Sequence, residues 1–510
     1  MEGHTAKRLS QARRALTRRN LFELAGAAVA TAAFPSPILS SDFFGAIAAP
    51  SPAVDSVMTH LSAYMAEASA SALPADVIEK TKHHILDTFA AMISGSALRP
   101  GKAALDFARA YGGKEVSTVV ASNILCGPIE AALANGMLAH ADETDDSHSP
   151  SQSHPGCAVI PAALAVAERF AISGTHFLRA VALGYDIGPR FTMTLGGQQF
   201  EAQSHWSTHS ISPLFGAAAA AGCAASLNAS QMRLLLGYTA QQSSGLGAWN
   251  RDTEHIQKAF LFGGMTARSG VTSALLVRSG WTGVDDILSG KDNFFEAYNP
   301  KADPSALVDK LGERFEVTRT NIKRWPVGSP IQAALDAIEI LRKQHPFDAA
   351  QVQHVNIQLA TDEAAIVNNR EIPDICLQHM VAVMLLEHTV SFAAAHDTAR
   401  MHDSAILRER AKVQLLPDAG LERLMPLRVA IVELTLADGS HFQQRVDNVR
   451  GTPENPMTRE EVAAKARDLI APILGATQAA ALIQKTFDLE SVKDIRDLRP
   501  PLRLPGKGEH

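Results

Sequence analysis

Between about Ser51 and Leu311, apolar residues recur every three or four positions, the period of helices that bury one face. In Val159–Ala171, Ile160, Ala163, Leu164, Ala167 and Phe170 share such a face, Pro161 suits an early turn, and Gly174 lies past the end. Similar runs cover Ala131–Leu138, Leu214–Leu227 and Met265–Val277, many of them built from small residues that permit close helix packing. This part of the chain predicts a large all-helical body.

After about Thr318 the period changes. Val355, Ile357 and Leu359 alternate with polar residues, and so do Val432, Leu434 and Leu436. Asp438-Gly439 then marks a turn before a second strand over Phe442–Val446, which makes a hairpin. Helical patterns over Ile331–Arg342 and Leu377–Ala395 accompany the strands, so this region reads as α+β. Thr458-Arg459-Glu460-Glu461 is a capping box that opens a helix through about Ile473. The texture there returns to alanine-rich helix, which suggests packing back onto the first part.

The N-terminus has a different character. Lys7, Arg8, Arg13 and Arg14 precede Thr17-Arg18-Arg19-Asn20-Leu21-Phe22, a twin-arginine pattern. An apolar run from Leu24 to Phe34 follows, too short to span a bilayer, and Ala46-Ile47-Ala48 offers a cleavage site. Residues 1–48 are therefore expected to be an export signal, placing the mature protein in the periplasm or outside the cell with no membrane association after cleavage. The leader carries six basic and three acidic residues, so its removal takes the net charge from −6 to −9. The acidic mature chain has no basic stripe suited to nucleic acid. Cys126, Cys157, Cys223 and Cys376 are widely spaced and form no CxxC pair, which argues against a disulfide framework.

Ionisable groups concentrate at one helix junction. From His140 to His154, fifteen positions hold Asp142, Glu143, Asp145 and Asp146 with His140, His148 and His154. The donor types fit a metal site, although no standard ligand spacing is present. They equally fit acid–base catalysis, or a capped and solvated loop. His205 and His209 flank Trp206-Ser207-Thr208 before the next helix, either as caps or as carboxylate contacts. Lys258 and Lys323 lie in apolar surroundings, where a lysine either snorkels to the surface or anchors a carboxylate. Lys323 also falls at the change of texture, where clefts tend to form.

Taken in order, these segments resemble the MmgE/PrpD family. The resemblance is carried by Asn135-Gly136 through His148, by His154-Pro155-Gly156 with Ile160-Pro161-Ala162-Ala163, and by Gly184-Tyr185-Asp186 with Arg190. It continues through Lys258–Gly270, Gly280-Trp281-Thr282-Gly283, Lys323-Arg324-Trp325-Pro326 and Gly451-Thr452-Pro453-Glu454-Asn455-Pro456. It implies a mainly α fold, with a helical domain over residues 49–317, an inserted smaller α+β lid over 318–453, and C-terminal helices over 454–510 returning to the helical domain. It also implies a homodimer, a small polycarboxylate substrate, and no metal or organic cofactor. The expected activity is that of a 2-methylcitrate dehydratase-like carbon–oxygen lyase, with decarboxylation and epimerisation as the family's other reactions. A carboxylate-binding protein without catalysis is the alternative from another class, and a metallohydrolase the third.

Position by position, the resemblance implies catalytic roles for Glu143, His154, Lys258 and Lys323, and substrate contacts for Ser147 and for His205 or His209. Glu143 stands where the family usually has aspartate, and Ser147 where it has threonine. Leu377-Gln378-His379-Met380 stands where many members have a Ser-x-Pro-Tyr run. Those departures point to a substrate other than that of the best-known members.

Overall fold

A computed structural model describes residues 54–505; the expected export signal lies outside them. Helices dominate, for the reason read from the pattern. Gly156–Phe170 forms around the Ile160–Phe170 face and ends where Ala171 adopts left-handed backbone. Gly174 does not simply follow that end. It begins the next helix, Gly174–Leu195, whose cap is the Ser173 side chain accepting from the His176 amide at 3.3 Å. Thr208–Ala224 is buried on nearly every side, as a helix apolar all round must be. The helical part also contains one short strand pair, Ser117–Thr118 (β1) with Leu125–Cys126 (β2), which the periodicity did not suggest.

Small residues set how closely these helices approach. A Cβ on Gly136, in helix Pro128–Ala139, would lie 2.3 Å from the Gly263 carbonyl oxygen. Gly263 belongs to a single π-helical turn, Phe260–Gly264, between the helical stretches Ile256–Ala259 and Met265–Arg278. The backbone entering the acidic run and the backbone carrying Lys258 are thereby pressed together. Arg190 is fully buried and donates to the carbonyls of Asp309 at 2.6 Å and Arg314 at 2.8 Å, pinning that segment to helix Gly174–Leu195.

Among the described residues two large hydrophobic cores result, with a small satellite of Ala360, Leu421 and Val429. The first gathers residues from Met58 to Ile322 and again from Met457 to Leu502. Helix Arg459–Leu474 is capped by the Thr458–Glu461 box and packs on helix Ala75–Gly95. Its Lys465 reaches Asp87 at 2.6 Å and the Thr144 carbonyl at 2.9 Å. The second core runs from Trp325 to Val449. Its sheet has the order β4-β3-β5-β6, with β3 (Val352–Ala360) parallel to β4 (Val413–Asp418). β3 is antiparallel to β5 (Ala430–Leu436), and β5 pairs with β6 (His441–Val446) as the expected hairpin, Leu434 opposite Phe442. Ile322 belongs to one core and Trp325 to the other, so Lys323 sits at the crossing.

One expected helix is broken. Leu377–Ala395 ends at Glu387, where His388 turns left-handed at φ 66°. A new helix, Phe392–His396, starts from the Ser391 side chain, which accepts from the Ala394 amide at 3.2 Å. The break re-aims the chain so that His396 reaches the acidic run.

Candidate active site

Helix Pro128–Ala139 stops at His140, and the chain then runs inward rather than out to solvent. His140, Asp142, Glu143, Asp145, Asp146, His148 and His154 are all buried, which overturns the solvated-loop reading. Burying so many charges is tolerable only with partners, and each acid has them.

Asp146 is the structural acid of the run. It accepts from Tyr185 at 2.5 Å, from His84 at 2.9 Å and from the Gly156 amide at 3.0 Å. The last contact fixes the turn that carries His154. His148 lies 3.2 Å from Glu316 and 2.8 Å from the Ser151 hydroxyl, also a structural role.

Glu143 is the centre of the ionic cluster. Its carboxylate meets the Lys258 ammonium through one oxygen and lies 3.5 Å from Lys323 Nζ through the other. Lys323 is 3 % exposed, donates to the Glu143 backbone carbonyl at 2.9 Å, and lies 3.7 Å from Asp145. Burial alone would raise the Glu143 pKa; the two ammonium groups outweigh it and hold the carboxyl well below the usual range. Both lysines therefore anchor a carboxylate, and Lys323 is not a snorkelling surface residue.

Asp145 pairs with His140 Nδ1 at 2.8 Å and lies 3.3 Å from His154 Nδ1, a contact not aligned as a hydrogen bond. Burial pushes the His154 imidazole down to about 4, so it is neutral at pH 7 and, while so buried, only a weak base. Burial and then Lys258 push His255 down to about 3.

Phe262, from the π-helical turn, forms the apolar wall. It stacks on His140 at 4.4 Å and on His209 at 4.6 Å, with Trp249 edge-on at 4.8 Å. Lys258 Nζ lies 5.2 Å from the Trp249 ring centroid and 5.3 Å from that of Phe262, a cation–π arrangement.

Glu143, His154, Lys258, Lys323 and His209 are thus brought together; the His154 and His209 rings are 5.6 Å apart. His205 is exposed in left-handed backbone at a helix end, which leaves His209 as the histidine of that pair facing the cluster. Ser147 pairs through its backbone with Asn321 and lines a cavity of about 300 Å³ at the seam of the two cores, which shares Lys323 with the cluster. Sequence reasoning passed over Trp249, Phe262 and His255, although His255 stands just before Lys258. It also missed Asp374 and His396, from the second core, for which the unbroken helical pattern gave no signal.

By donor type and spacing, His140, Asp145 and His154 could hold a metal ion, as could His140, Glu143 and His255. In both sets the carboxylate is already faced by a lysine ammonium. A divalent ion there would sit a few ångströms from a like charge in a poorly solvated site. The arrangement suits an organic carboxylate better.

Comparison with known proteins gives the family. The MmgE/PrpD N-terminal domain matches residues 59–307 and the C-terminal domain residues 325–489. The cis-aconitate decarboxylase-like protein oryM of Aspergillus oryzae is 24 % identical over 474 residues, covering 87 % of this chain and 96 % of that protein. Human cis-aconitate decarboxylase is 26 % identical over 458 residues, covering 85 % and 92 %, and the Aspergillus terreus enzyme is 24 % identical over 465 residues, covering 85 % and 93 %. The chain belongs to the MmgE/PrpD family.

Proposed function

We propose that this protein is a lyase or isomerase acting next to a carboxylate of a small di- or tricarboxylic acid. One observation carries the reading: a carboxylate, that of Glu143, already lies between the ammonium groups of Lys258 and Lys323, beside a neutral histidine. A substrate carboxylate has the same charge and geometry and can take up the same donors.

Breaking a bond next to a carboxylate, whether by proton abstraction, loss of water or loss of carbon dioxide, builds negative charge on an enediolate-like centre. Lys258 and Lys323 are fixed before the reaction and offset that charge as it develops, the largest single source of rate enhancement in such sites. His154 moves the proton, and the His140–Asp145 pair holds its surroundings. Trp249 and Phe262 pack against the ammonium of Lys258 and help to hold it in place.

The names of the relatives favour decarboxylation of a cis-aconitate-like acid as the first reaction to test; dehydration and epimerisation use the same groups. The reading extends to a homodimer that works after export, with residues 318–453 as a lid over the site. Purified wild type, Lys258→Ala and His154→Ala proteins should be assayed with cis-aconitate and a panel of di- and tricarboxylates. Turnover by wild type and its loss in both variants, with unchanged circular dichroism, supports the proposal. Calorimetric binding without turnover across the panel would point to a carboxylate-binding protein.

A further inference from the structure

His396, from the part of the chain that builds the second core, reaches the acidic run at Asp142. Its Nδ1 lies 2.8 Å from the Phe392 carbonyl, an acceptor, so that nitrogen carries a proton. Its Nε2 lies 2.9 Å from Asp142 Oδ2 and 3.9 Å from Asp374. The Asp142 contact is an ion pair bent away from the ideal hydrogen-bond line.

Asp142 also accepts from both the amide and the hydroxyl of Thr144, contacts that favour its ionised form, and together with His396 they hold its carboxyl below the usual range despite burial. A lone pair on Nε2 could not sit 2.9 Å from that oxygen without strong repulsion. Both ring nitrogens therefore carry protons. The side chains are 16 % exposed for His396 and 1 % for Asp142, so little solvent screens the pair.

We propose that His396 is a positioning residue of the site: a buried imidazolium that balances the Asp142 carboxylate, with Asp374 alongside, and ties the second core to the acidic run. The inference rests on the carboxylate-acting reading only for its consequence. With Asp142 answered by His396, the Lys258 and Lys323 charges remain directed at Glu143 and at whatever carboxylate replaces it. The charged groups facing His396 are Asp142 and Asp374, with Glu143 and Lys258 next in line beside Asp374. Asp142 and Asp374 outweigh burial and raise the imidazole to about 9, in keeping with the geometry.

Histidine-labelled full-length protein, followed by NMR with His396 assigned from its absence in His396→Gln, tests the charge. The expected midpoint lies above pH 8 and falls by at least one unit in Asp142→Asn. A midpoint at or below 6.5, or no response to Asp142→Asn, overturns the inference. Hydrogen exchange tests the tie without any ligand. Exchange in residues 140–148 should quicken at least tenfold in His396→Gln and return toward wild type in His396→Lys, which restores the cation. Unchanged exchange in His396→Gln, or no rescue by lysine, also overturns it. Calorimetry with cis-aconitate at pH 7 reads the consequence, with an expected tenfold weaker affinity in His396→Gln. If wild type binds no carboxylic acid while the NMR and exchange results hold, the functional reading fails and the His396 inference stands.

Discussion

Lys323 Nζ lies 2.9 Å from the backbone carbonyl of Glu143 and 3.5 Å from its carboxylate, although the two residues are 180 positions apart. This contact makes the crossing between the two cores part of the site wall. Any shift of one core against the other moves a cation relative to the carboxylate it faces.

Lys323→Met should therefore weaken both stability and function. Removing one partner of a buried ion pair costs about 3–5 kcal/mol, reduced here because Lys258 still answers Glu143. The expected loss is about 2–3 kcal/mol in urea denaturation, with turnover down at least 100-fold. A variant as stable and active as wild type would remove Lys323 from the site.

Asp146→Asn should damage the site without touching substrate. Asp146 holds Gly156, His84 and Tyr185 at once, and Gly156 follows the His154-Pro155 turn. Neutralising it should cost about 2–4 kcal/mol and lower activity through misplaced His154. Denaturation and a His154 NMR signal broadened relative to wild type would report this.

His205 and His209 should separate cleanly. His205→Asn keeps a residue that tolerates left-handed backbone and should leave activity within twofold of wild type. His209→Asn removes the ring stacked on Phe262 and should lower kcat/KM at least tenfold. Equal effects would contradict the placement.

Stability should depend on pH with opposite signs on the two sides of neutrality. Burial lowers His83, His154 and His379 to about 4 and His255 to about 3. Their contribution is complete above about 6.5 and is lost as pH falls toward 4, because the unfolded chain binds the protons. His396 is raised to about 9, so its contribution is complete below 6.5 and lost as pH rises through 9. Urea midpoints should peak at about pH 6.5–7. In His396→Gln the alkaline decline should flatten while the acid side persists.

The helices and the hairpin were legible because their apolar periods follow directly from burial. Gly156–Phe170 and the β5–β6 pair lie close to where the pattern put them. The acidic run was legible as chemistry but not as a buried site, since burial depends on partners such as Lys323 and Lys465 far along the chain. His396 was not legible at all. Its place depends on the break that starts at His388, and a four-residue turn, about one helical turn in length, between two apolar helical stretches leaves the period almost unchanged. Order along the chain, matched to a family, supplied Lys258 and Lys323 as partners where spacing alone could not.

Proton NMR in D₂O with cis-aconitate and a panel of small di- and tricarboxylates tests the central claim most directly. It registers α-proton exchange, water loss and decarboxylation in one experiment. The expected result is catalysed change in at least one acid by wild-type protein, abolished in Lys258→Ala. Spectra unchanged across the whole panel, from protein that is folded and binds carboxylate, would contradict the assignment of Glu143, His154, Lys258 and Lys323 as a catalytic site.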